Sequence, residues 1–168
     1  SEQWNSTQQL LTVKYAAYSQ VLPQDEEVNA PFIEYRGQVL NTADTTEDGI
    51  RYYSQSNYPN LYIFDDKVSF VFAHIDTVPA SVDTMARFDL YFKNSRSTGS
   101  AGLERQEDFH NYYLGHIPEG RERVPLENKV LQPDIYAGID ALYGQGQDGF
   151  FLRMICKPGS NPADIKLQ

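Results

Sequence analysis

The chain of 168 residues carries 14 Lys and Arg against 23 Asp and Glu, a net charge of −9. About a quarter of it is Ile, Leu, Val and Phe, above the ~20% level below which chains tend to stay disordered, and at this length folding buries roughly 70% of the unfolded surface, enough for one core. The acidic balance argues against a reader of the nucleic-acid backbone, which needs clustered Lys and Arg, and apolar runs stop at four residues, far short of the ~20 that a membrane-spanning helix needs.

Residues 1–30 read as an N-terminal extension, ahead of a domain over residues 31–168. Ser6 to Val21 fits either a helix capped at Ser6 or Thr7 or an extended Leu11–Tyr15, and the extended reading is preferred. Gln24-Asp25-Glu26-Glu27 is a solvated acidic connector, and Pro31 marks the entry to the first firm element.

From there a period of two dominates. Leu61–Phe64 and Lys67–Phe72 flank Asp65-Asp66, which reads as a tight hairpin. Val68, Phe70 and Phe72 share one face. Phe88, Leu90 and Phe92 share another, opposite Asp89, Tyr91 and Lys93. Phe150, Leu152, Met154 and Cys156 form a third, with Arg153 and Lys157 opposite. Turn signals such as Glu47-Asp48-Gly49, Pro118-Glu119-Gly120 and Lys157-Pro158-Gly159 recur throughout, so only Ser100–Tyr113 leaves room for a long helix. The expectation is an all-β, antiparallel β-sandwich of many short strands with at most one short helix.

Few residues point to chemistry. His74 and Asp76 share a strand face, but the run ends at Pro79, and an exposed strand end explains the pair. His110 and His116 stand six apart, which is no metal signature. Cys156, the one cysteine, permits no internal disulfide and falls on an apolar face, as a buried thiol would. Gly144–Gly149 precedes a strand, so it reads as a hairpin turn rather than a phosphate cradle. No calcium loop is present, and an irregular calcium site built from scattered carboxylates has no support. The expectation is a protein that is not an enzyme and holds no cofactor.

Twelve tyrosines are many for this length. Tyr91 lies opposite an apolar face, and Tyr52, Tyr53, Tyr58, Tyr62, Tyr112 and Tyr113 join it as candidates for an exposed binding surface. Exposed tyrosines suit protein or sugar contacts, and their burial over sheet faces and turn corners is the plainer alternative.

Five segments carry a resemblance. They are Phe32–Val39, Tyr52-Tyr53-Ser54 leading to Leu61–Phe64, Asn111–Glu119, Tyr136–Gly144 and Lys157–Ile165. Over residues 31–167 the chain resembles the N-terminal domain of unknown function of large exported bacterial proteins. These often continue into β-propeller-type repeats or Ig-like modules, and in Bacteroidetes many end in a gliding-motility or type IX secretion sorting domain. Tyr35 stands where that pattern has Asn, and Ser160-Asn161 where it has Ala-Asp. The resemblance offers no catalytic residue. It implies structural turns at Gly37, Gly115 and Gly138, with Asn111 and Asp140 bonding turn backbone. It also implies a secreted, cell-surface setting, partners among other domains or subunits of the same assembly, and a sheet edge open to further strands after Ile165–Leu167. The function expected is therefore a structural or adhesive module, such as a filament or appendage subunit, with glycan binding as the alternative.

Overall fold

The computed structural model describes residues 10–14 by their backbone, and 30–41, 43–55, 59–74, 84–96, 98–146 and 149–168. Ten strands are present among them: β1 (Leu10–Lys14), β2 (Phe32–Glu34), β3 (Ile50–Ser54), β4 (Asn60–Phe64), β5 (Lys67–His74), β6 (Thr84–Tyr91), β7 (Ala101–Leu114), β8 (Ile117–Tyr136), β9 (Ile139–Gly146) and β10 (Gly149–Cys156). The one helical element described is a 3-10 turn over Pro162–Asp164, capped by the Asn161 side chain.

Every pairing is antiparallel, and the strands form one sheet in the order β1-β10-β9-β8-β2-β3-β4-β5-β6, with β7 added to β8. The sheet curls into a half-barrel. The antiparallel β class expected from alternation is what forms. In place of two separate sheets there is one, because the ladder continues from β8 into β2 through Phe32 opposite Glu127 and Ile33 opposite Leu126. The 20-residue β8 makes this continuity possible: β9 and then β2 occupy successive stretches of one edge, while β7 runs along the other.

The expected hairpins are found. β4 and β5 turn at Asp65-Asp66, with Ile63 opposite Val68, and β9 and β10 turn beside Gly146 and Gly149. Leu10–Lys14 is extended and lies against β10. The Ser100–Tyr113 stretch falls in strand β7, Ala101–Leu114, and not in a helix.

The main core lies inside the curl. Phe32, Leu61, Ile63, Val68, Phe70, Val130, Ile139, Tyr143, Leu152 and Met154 are buried there. Phe70 of β5 meets Phe150 of β10 edge to face at 5.5 Å, so strands far apart in the sheet order touch across the interior. A second, smaller cluster of Ile33, Tyr53, Val124 and Leu126 lies on the opposite face. Adjacent residues of one strand thus enter different cores: Phe32 and Tyr52 the inner, Ile33 and Tyr53 the outer. The outer cluster is closed by Tyr112 of β7, Val124 of β8 and the Tyr35–Val39 loop.

Candidate functional site

The turn after β2 meets the tip of the β7–β8 hairpin. Gly37 adopts φ 90°, a left-handed conformation that favours glycine. Gln38, nearly buried, accepts the Arg36 N–H on its side-chain oxygen and donates its amide to the Glu34 carbonyl at 2.9 Å. His116 Nε2 lies 3.0 Å from the Gly37 carbonyl, which only accepts, so that nitrogen carries the proton. Arg121 donates Nε to the Arg36 carbonyl at 3.0 Å. Two segments far apart in sequence are locked together here by backbone acceptors. Gln38 and Arg121 carry no composition or spacing signal.

The other turn residues divide. Gly138 has φ 70°, and an added Cβ would meet the Ser160 Cβ at 3.1 Å, so glycine is needed. Gly115 is a correction: its backbone is ordinary and a Cβ there meets open space, so the hairpin turn does not require it. Asn111 and Asp140 bond strand irregularities rather than turns. Asn111 Oδ1 accepts the Arg123 N–H at 2.8 Å, and Asp140 Oδ1 accepts the Asp134 N–H at 2.7 Å. Arg123 and Asp134 both have positive φ, at 51° and 49°, and lie where the β8 register slips. Lys157 joins Asp140 at 2.8 Å and Asp134 at 3.1 Å, tying the end of β10 to the second slip.

The tyrosines do not form one surface. Tyr52 is buried and accepts the Gly102 N–H at 2.9 Å. Tyr53 is buried, stacks on Tyr62 at 6.3 Å and donates its hydroxyl to Tyr112 at 2.9 Å. Burial, then the bond to Tyr112, pushes the Tyr53 phenol far above its ordinary range. Tyr62 and Tyr112 are half-buried around the outer cluster. Burial on both faces of β3 is what removes Tyr52 and Tyr53 from solvent. Tyr91 and Tyr113 are exposed, on different strands, and Tyr113 donates to Glu122 at 2.9 Å. Tyr58 lies outside the described residues.

Among the described residues, the named groups do not come together in a catalytic constellation. His110 Nδ1 is 3.1 Å from the Tyr112 hydroxyl, whereas His116 holds the Gly37 turn. The backbone of His74 ends β5, and Asp76 lies outside the described residues. Cys156 is half-buried against the inner core, and burial raises its thiol pKa, opposite to activation. Among the described residues no three His, Cys, Asp or Glu side chains are placed to hold a metal. A shallow cleft of about 340 Å³ lies between Glu34, Arg51, Tyr52 and Ser100. Its charged groups are engaged, Glu34 with Arg36 at 2.7 Å and Arg51 with Asp65 at 2.6 Å.

Exposed apolar side chains are more telling. Met85, Phe88 and Tyr91 lie on β6, and Leu103, Phe109 and Tyr113 on β7. Met85 is 57% exposed, Phe88 56% and Tyr113 72%. Arg123 lies over the Phe109 ring at 4.6 Å. β6 ends the sheet, and β7 pairs with β8 alone.

Among curated proteins and among solved structures, nothing matches the chain. One family does: a domain of unknown function, DUF7948, matches residues 32–168, from the first strand of the inner core to the last residue. With that match spanning β2 through β10 and the closing segment, the chain belongs to the DUF7948 family of domains of unknown function.

Proposed function

We propose that this chain is a non-enzymatic structural and interaction module of a large secreted or cell-surface bacterial protein, serving assembly or adhesion. One observation carries the reading. Among the described residues, every large hydrophobic side chain that stays exposed lies on β6 or β7, strands with one unpaired edge. Scattered exposed apolar residues are ordinary. Their confinement to β6 and β7 favours contact surfaces, where aromatic residues and Met are enriched. The secreted setting is supported by the sequence resemblance, and the partners it suggests are other domains or subunits of the same assembly.

A photocrosslinking residue placed at Phe88 or Tyr113, in cells that make the protein, tests the reading. Exposed Ala137, on the β8–β9 turn, is the control position. Crosslinks from both edge positions to extracellular protein, and few from Ala137, are expected. Equal crosslinking from all three positions, or none from the edges, would contradict it.

A further inference from the structure

We infer that β1 is a detachable strap: Leu10–Lys14 lifts from β10 while β2 to β10 stay folded, and the edge it bares at Leu152 and Met154 takes an extended strand of the same sequence in its place. The inference concerns β10 and does not rest on the β6 and β7 surfaces proposed above.

The backbone shows how the strap is held. The Lys157 N–H donates to the Gly138 carbonyl at 2.8 Å, one step beyond the β9–β10 pair of Cys156 with Ile139. Antiparallel pairs alternate between bonded and non-bonded. Ile155, Arg153 and Phe151 therefore bond β9, while Met154 and Leu152 turn their N–H and C=O groups to the outer edge. There β1 meets them, Leu11 opposite Met154 and Val13 opposite Leu152. Those two pairs are the bonded ones of this ladder. Thr12, opposite Arg153, turns its own backbone groups away from β10.

The edge beneath needs a cover. β10 pairs with β9 over eight residues without a register shift. Its one charged residue, Arg153, lies over the Phe151 ring at 5.2 Å. An unbroken apolar edge of this kind accepts strands.

Three features make β1 separable. It ends the sheet order and pairs with β10 alone among the described residues. The buried residues of β10 pack on other strands: Phe150 meets Phe70 of β5 edge to face at 5.5 Å and lies 6.4 Å from Tyr143 of β9. And β1 lies outside residues 32–168, which the family model matches. The far end of the sheet is closed differently. The Tyr91 N–H donates to the Gln168 carbonyl at 2.8 Å, the Gln168 N–H donates back at 3.0 Å, and the Lys93 N–H donates to the Lys166 carbonyl at 2.8 Å. That segment lies within the matched residues and is also held by Tyr136 of β8. β1 sets the entropy of ordering five residues against a few backbone bonds at one edge, so its opening lies far below unfolding of the sheet.

Amide hydrogen exchange in the full chain tests this. Leu11→Pro with Val13→Pro removes the two β1 donors aimed at β10, whereas Thr12→Pro removes one aimed away from it. The double variant is expected to speed exchange at Leu152 and Met154 about tenfold or more, to leave Phe151, Arg153 and Ile155 unchanged, and to keep the parent's denaturation midpoint. Thr12→Pro is expected to match the parent at all five amides. A synthetic peptide of residues 8–16, added in large excess to the double variant, is then expected to slow Leu152 and Met154 back toward the parent rate. Unchanged exchange at these two amides in the double variant would show that β1 does not cover the edge. Faster exchange throughout β10 with a lower midpoint would make β1 an integral strand rather than a strap. No slowing by the peptide would show that the bared edge takes no strand. Any of these three results overturns the inference.

Discussion

Gly102 lies directly over the buried carboxylate of Glu127: a Cβ there would meet Glu127 Cγ at 2.3 Å and Cδ at 2.5 Å. Glu127 is 1% exposed and its Oε1 is held by Arg105 at 2.8 Å, so it has nowhere to go. Gly102→Ala is expected to cost about 1–3 kcal/mol by overpacking, read as a lower urea midpoint at constant slope. Gly115→Ala, into open space, is expected to stay within about 0.5 kcal/mol of the parent. Asp89 supplies a pH dependence. Burial works to raise its carboxyl pKa, but hydrogen bonds from Arg87, Ser69 and Lys67 outweigh it and hold the group at about 2, against an ordinary 3.8. The folded value is the lower one, so the stabilisation is complete above pH 3.8 and is lost as pH falls through about 2. Asp89→Asn is expected to flatten that part of the stability profile, measured by thermal melts between those limits. At this scale the sequence was least legible. Tyr52 and Tyr53 alternate faces as any strand residues do, and nothing local says that both faces of β3 are covered.

Elements were more legible where one face is buried and the other wet. β10 showed its alternation for that reason, β5 and β6 showed theirs in residue type although Ser69 is buried and Met85 to Phe88 are exposed, and the Asp65-Asp66 and glycine-rich turns fell where their chemistry placed them. β7 was illegible because it is mostly exposed on both faces, so no period of two is imposed on it. β8 was hidden by its own irregularities: Pro125 and the positive-φ residues Arg123 and Asp134 interrupt the pattern, and the residues that secure those slips, Asn111 and Asp140, lie on other strands. The closing segment has a similar long-range anchor. The Tyr136 hydroxyl lies 3.2 Å from the Lys93 carbonyl and 3.1 Å from the Lys166 carbonyl, and accepts the Lys166 N–H at 3.3 Å. Tyr136→Phe is expected to cost about 1 kcal/mol and to speed amide exchange at Tyr91, Lys93 and Gln168 before the inner strands respond. Unchanged exchange at those three amides would show that β6 holds Lys166–Gln168 without Tyr136.

At the scale of the whole molecule, antiparallel β structure was legible from alternation and turn spacing, whereas the single curled sheet was not. That shape depends on β8 being long enough to pair β9 and β2 in succession, a matter of register between residues distant in sequence. The result is a sheet that buries its interior but leaves β6 and β7 at its margins with their apolar side chains outward. The most direct test of the account is the binding of the purified chain to the surface of the cells that make it, parent against the double variant Phe88→Lys, Tyr113→Lys. Both positions are more than half exposed, so the variant is expected to keep the parent's denaturation midpoint. The account predicts binding weaker by about tenfold or more. Undiminished binding by a folded variant would contradict it.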